Sequence, residues 1–135
     1  MADRNAVAEL LSKYAWAMDS GNFELLGDVF TQDAGFSIDI AGTQAIEPIT
    51  GRDAIVEFIR STVSGQQDQR RHVISNQRFA SEGADDAVVT STLTLNVITD
   101  GVLEVKATGV YTSAVVLEDG TWRISDLNIG LDTAF

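Results

Sequence analysis

Cysteine is absent from this sequence of 135 residues, and proline and histidine occur once each, as Pro48 and His72. Without cysteine there is no disulfide and no thiolate nucleophile, and the cytoplasm is the expected address. A metal would have to be held by one imidazole and carboxylates, and no Asp/Glu loop of the calcium-binding kind occurs, so no metal is expected. Basic residues are scarce, nine Lys and Arg against twenty Asp and Glu, for a net charge of −11. Such a chain repels phosphate backbones and anionic lipid surfaces, so neither nucleic acid nor a membrane surface is an expected partner. No apolar run approaches the length of a membrane-spanning helix. The first ten residues carry an early acid and no basic segment ahead of an apolar one, unlike a secretory signal. Phosphate-cradling glycine motifs are missing, since Gly42 and Gly51 do not make a P-loop, and no serine sits in a nucleophile elbow. No cofactor is expected.

What is present is one domain's worth of chain, 1–135, with 44% hydrophobic residues, enough for a single core. Val7, Leu10, Leu11, Tyr14 and Met18 recur at three- and four-residue steps and predict a helix over 3–19, closed by Asp19-Ser20-Gly21. A short helix over 23–30 follows, with Phe23, Leu26 and Phe30 as its stripe, and Thr31-Gln32-Asp33 is read as its break. Phe36, Ile38 and Ile40 alternate as a first strand. Ala41-Gly42-Thr43 is read as a turn before an extended piece over 46–49. Thr50-Gly51-Arg52-Asp53 opens a third helix carried by Ile55, Phe58, Ile59 and Val63. From Arg70 the period changes to two, giving strands over 71–80, 86–98, 103–117 and 121–132. The pairs Asp100-Gly101 and Asp119-Gly120 mark hairpins between the last three. Helices first and hairpins last define an α+β fold, three helices packed on one face of an antiparallel sheet.

Strand parity assigns faces. Leu103, Val105, Ala107, Gly109, Tyr111, Val115 and Leu117 share one side of the third long strand. Val89, Leu93, Leu95 and Val97 share one side of the second. In the first, His72 falls with Ile74, Asn76 and Arg78, so the faces are mixed, as in a sheet curled around a partly polar pocket.

Four stretches in order, KYAWAMDSGNFELLGDVFTQDAGF, GRDAIVEFI, RRHVISNQRF and GVYTSAVVLEDGTWRISDLNI, resemble the SnoaL-like family of the nuclear-transport-factor-2-like superfamily. The resemblance spans nearly the whole chain. It implies a cone, a strongly bent antiparallel sheet against three helices with a pocket between them. Cofactor-free dehydratases, a dehydrochlorinase, ketosteroid isomerase, limonene epoxide hydrolase and polyketide cyclases use this fold. So do the non-catalytic small subunits of ring-hydroxylating dioxygenases, and fold alone does not choose among them.

The dehydratases of this superfamily pair an aspartate from the end of the first helix with a histidine on the first long strand, and Asp19 and His72 stand at the matching positions. A neutral imidazole accepts a proton near pH 7, and a carboxylate on its other nitrogen sets the tautomer and stabilises the imidazolium. Tyr14 stands where a bile-acid dehydratase has a tyrosine that assists the leaving oxygen. Each residue also has a plain structural explanation. Asp19 is a helix-end residue about 120° from the centre of the apolar stripe, Tyr14 lies on that stripe, and His72 is a strand-end histidine. In the isomerase pattern Tyr14 is an oxyanion donor and the base lies near Asp39, but Asp39 is shifted by one residue, which reverses its face. The epoxide hydrolase's charged trio has no match.

The resemblance thus implies a cofactor-free lyase or an isomerase or cyclase, with Asp19, His72 and Tyr14 as catalytic residues. The expected substrate is an apolar cyclic small molecule, such as a polyketide, steroid or terpenoid, lined by Phe36, Phe58, Ile74, Asn76, Tyr111 and Asn128. The alternative is a non-catalytic ligand-binding or subunit-interaction module. Valines, threonines and leucines on the outer sheet face predict a homodimer, with a trimer as the other possibility.

Overall fold

The computed structural model of the chain describes residues 1–41 and 45–133. Helix α1 spans Arg4–Ser20; Asp3 caps it, its side chain accepting from the Ala6 amide at 3.0 Å. Gly21, at φ 69°, ends it in the left-handed conformation that glycine adopts without a Cβ clash. The stripe Val7, Leu10, Leu11, Tyr14 and Met18 is buried along its length.

Helix α2, Phe23–Val29, is capped by Asn22 and runs directly into strand β1, Phe30–Ile40. The expected break at Thr31-Gln32-Asp33 is strand instead. Phe30 pairs with Ile124, and Gly35 to Ile40 pair with Asp126 to Leu131. These partners lie some ninety residues away, so no local signal announces them. The expected turn at Ala41-Gly42-Thr43 lies, beyond Ala41, outside the described residues. Strand β2, Ile46–Thr50, pairs antiparallel with β1 at the sheet edge, where Pro48 needs no ladder partner for its nitrogen. Helix α3, Arg52–Val63, is tied to β1 by the Arg52 guanidinium, which donates to the Phe30 carbonyl at 2.8 and 3.0 Å.

Strands β3 (Gln69–Glu82), β4 (Asp86–Thr99), β5 (Val102–Glu118) and β6 (Thr121–Leu131) form the meander. Asp100-Gly101 and Asp119-Gly120 take positive φ as the hairpin signal requires. The sheet order is β2-β1-β6-β5-β4-β3. One pairing departs from the expected antiparallel sheet. The β1 and β6 strands run parallel, so the sheet is mixed. They are joined by most of the chain rather than by a hairpin, which frees their relative direction. The result is the open α+β cone, with α1 lying across β3 and β6 and α3 across β1.

Local irregularities set the faces. In β3, Ser75 pairs with Thr92 but Arg78 with Thr90, so Asn76 and Gln77 together oppose Ser91 in a bulge. Asn76 sits there at φ 54°, a conformation asparagine tolerates better than most residues. Beyond the bulge Phe79, not Arg78, shares the face of His72 and Ile74 and packs on the core. In β5, Leu95 pairs with Ala107 but Asn96 with Val105, which leaves Lys106 as an extra residue. Leu103 and Val105, expected inward, are therefore turned outward, 65% and 69% exposed. Gly109 lies where β5 and β6 approach most closely, and a Cβ there would collide with the Gly130 carbonyl.

Candidate active site

Asp19 projects from the last turn of α1, at the edge of its buried stripe, and meets the first residues of β3. Its Oδ2 accepts the His72 backbone N–H at 2.9 Å, and its Oδ1 lies 2.6 Å from His72 Nδ1. The imidazole is 14% and the carboxylate 9% exposed. An ionised carboxylate only accepts, so in the neutral ring Nδ1 carries the hydrogen and Nε2 the lone pair. One side chain thus holds both the backbone and the ring of the histidine.

His72 lines a cavity of about 130 Å³ between α1, α3 and the concave sheet face, together with Tyr14, Met18, Phe36, Phe58 and Tyr111. Asp19 does not line it and sits behind the ring, where it touches a smaller adjoining hollow of about 110 Å³. The volume is comparable to engineered apolar cavities of roughly 150 Å³ that bind benzene, so the enclosed part suits a single ring. Phe36 and Phe58 form one wall with centroids 5.9 Å apart. Tyr14 stands edge-on to Phe30 and Tyr111, at 5.9 and 6.0 Å.

Burial pushes the Tyr14 phenol well above its ordinary pKa, and a hydrogen bond from Tyr111 pulls partly the other way. Tyr111 is raised by burial, by the charge Tyr14 would carry, by Asp19 and by its hydrogen bond to Tyr14. Both phenols stay protonated at any ordinary pH. A protonated phenol at Tyr14 is a hydrogen-bond donor.

Of the residues singled out in the sequence, Asp19 and His72 are in contact, and Tyr14, Phe36, Phe58 and Tyr111 line the same cavity as the imidazole. Ile74, Asn76 and Asn128 do not line it. Ile74 packs against the core, paired with Leu93. Asn76 is exposed in the bulge. Asn128 lies on the outer face between the inward Leu127 and Ile129, and its Nδ2 donates to Ser37 Oγ at 2.8 Å and Asp39 Oδ2 at 3.1 Å. Asp39 is exposed there, on the reverse face from the cavity, as its shifted position implied. The sequence reading missed the rest of the lining, among it Met18, Ile38, Ile59, Thr62, Gln66, Arg70, Leu93 and Ile129. For Arg70 a signal existed, since it stands two residues before His72 on one strand face. Among the described residues no group of three or more His, Asp or Glu could hold a metal ion.

A helix-backed, half-open sheet around an apolar cavity with one carboxylate-held imidazole defines a small α+β cone protein with a ligand-sized pocket. Residues 1–128 match the family model described as SnoaL-like domain, and the chain belongs to that family. It is similar in structure to a single-residue variant of Rv3472, a protein of unknown function from Mycobacterium tuberculosis, with 22% identity and a TM-score of 0.82 over 96% of this chain and 72% of that one. An NTF2-like protein with a cystatin-like fold from Novosphingobium aromaticivorans matches at 20% identity and a TM-score of 0.78, over 96% of this chain and 81% of that one. A Catenulispora acidiphila protein in complex with S-DNPA matches at 21% identity and a TM-score of 0.80, over 95% of this chain and 92% of that one. No curated protein matches the chain.

Proposed function

We propose that the protein is a cofactor-free enzyme of lyase or isomerase type in which His72 acts as general base on an apolar cyclic small molecule. The observation that carries this reading is the 2.6 Å contact between Asp19 Oδ1 and His72 Nδ1, made by a ring that also lines an apolar cavity. Nε2 takes a proton from an acidic carbon, and the carboxylate on Nδ1 stabilises the imidazolium that results. Tyr14, kept protonated by burial, donates to the oxygen on which negative charge develops, whether an enolate or a departing hydroxyl. The apolar wall excludes water, which strengthens both interactions.

Deuterium exchange at the acidic methylene of phenylacetone, followed by NMR in D2O, tests the base directly. The wild type is expected to exchange it faster than buffer does. His72→Ala and Asp19→Asn should each lose roughly 10²–10⁴-fold with the fold intact. A wild-type rate no greater than that of His72→Ala would instead favour the binding-module reading.

A further inference from the structure

Among the described residues Arg70 is the one formal cation lining the apolar cavity, and it lines the smaller polar hollow as well. It lies two residues before His72 on β3, so the two side chains leave the same sheet face roughly 7 Å apart. Asp68 holds one edge of its guanidinium, through Nε to Oδ1 at 3.0 Å and Nη2 to Oδ2 at 3.4 Å. Both partners are largely buried, 17% and 19% exposed. The other edge, formed by Nη1 and the second Nη2 hydrogen, meets no acceptor among the described residues. A guanidinium fixed along one edge presents the other as a ready-oriented fork, and a carboxylate matches that fork with two parallel hydrogen bonds. The placement matters in a chain of net charge −11, which repels free anions. A cation held half-buried at a cavity offsets that repulsion only for a ligand whose acid lies at this spot.

We propose that the cavity takes apolar acids: the ring enters the pocket lined by Phe36, Phe58 and Tyr111, and the ligand's carboxylate sits on the free edge of Arg70. This deepens the reading of the site as one for an apolar small molecule, and it makes Arg70 the specificity-determining residue. Anchoring the acid at Arg70 leaves the carbon chain between ring and carboxylate beside Nε2 of His72.

Binding, not turnover, tests it, which separates it from the fate of the general-base reading. Phenylacetate and its neutral analogue phenylacetamide are titrated into the full chain and followed by NMR shifts of cavity methyl groups. The acid is expected to bind roughly tenfold more tightly than the amide, as one charge-assisted fork allows. Arg70→Gln should abolish the difference, weakening the acid far more than the amide, and Arg70→Lys, which keeps the charge but loses the fork, should retain part of it. His72→Ala should keep the preference even where exchange activity is lost. Equal binding of acid and amide by the wild type, a preference that survives Arg70→Gln, or no binding of either probe at millimolar concentration would each overturn the proposal. Circular dichroism of both Arg70 variants distinguishes a lost contact from a lost fold, and if the Gln variant fails to fold, Arg70→Lys decides alone.

Discussion

Asp19 engages both the amide and the ring of His72, and that double contact joins structure to chemistry at the scale of single residues. A solvated ion pair contributes little, whereas hydrogen bonds between half-buried charged and polar groups contribute more, because water does not replace them. The two phenols that line the cavity with the imidazole carry a separate consequence. Their folded pKa values lie above the ordinary 10.0 through burial, so the unfolded chain releases these protons first. The stability their neutral form contributes is complete below pH 10 and is lost as pH rises past it. The melting temperature should therefore fall steeply above about pH 10. Tyr14→Phe, with no proton to lose, should flatten that fall in a thermal series from pH 8 to pH 11.

At the scale of elements, single extra residues in strands decide which side chains face the cavity. The bulge at Asn76 and Gln77 turns Phe79 inward, and that at Lys106 turns Leu103 and Val105 outward. Because Asn76 occupies the left-handed region, a β-branched residue there is strained by about 1–2 kcal/mol. Asn76→Ile should lower the denaturant midpoint accordingly, while Asn76→Gly should be close to neutral; equal effects of the two would show that the bulge adapts. His72 lies on the near side of this bulge, in regular register with Leu95, so its orientation survives the irregularity.

The molecule as a whole has two sheet faces with different roles. The concave one holds core and cavity. The convex one carries Val73, Leu103, Val105 and Val110 in the open, set among the threonines of β4. Apolar side chains spread over the two strands that flank β4 are more than a small monomer ordinarily exposes. A second copy of the chain, presenting the same face, is the occupant we expect there, because isologous pairing buries the whole patch at once. Light scattering should return twice 14.5 kDa at micromolar concentration. Val105→Glu should reduce it to one chain's mass; a wild-type monomer would show that the face is not a self-interface.

Most of the helices and strands were legible in the sequence, though not all of their bounds, and the site's central pair was legible through the family resemblance. Helical spacing placed α1 and α3, Asp-Gly pairs placed two hairpins, and the resemblance of four stretches to the SnoaL-like family singled out Asp19, His72 and Tyr14, while Phe36, Phe58 and Tyr111 kept their expected inward side because each lies in a locally regular stretch. Only the tertiary structure decided that β1 begins at Phe30 and runs parallel to β6, since that pairing joins residues some ninety apart. It also decided that Asn76 and Asn128 fall away from the cavity and that Arg70 enters it. A face read by counting residues is reversed by one bulge, and a bulge forms where two strands must stay paired while the sheet bends.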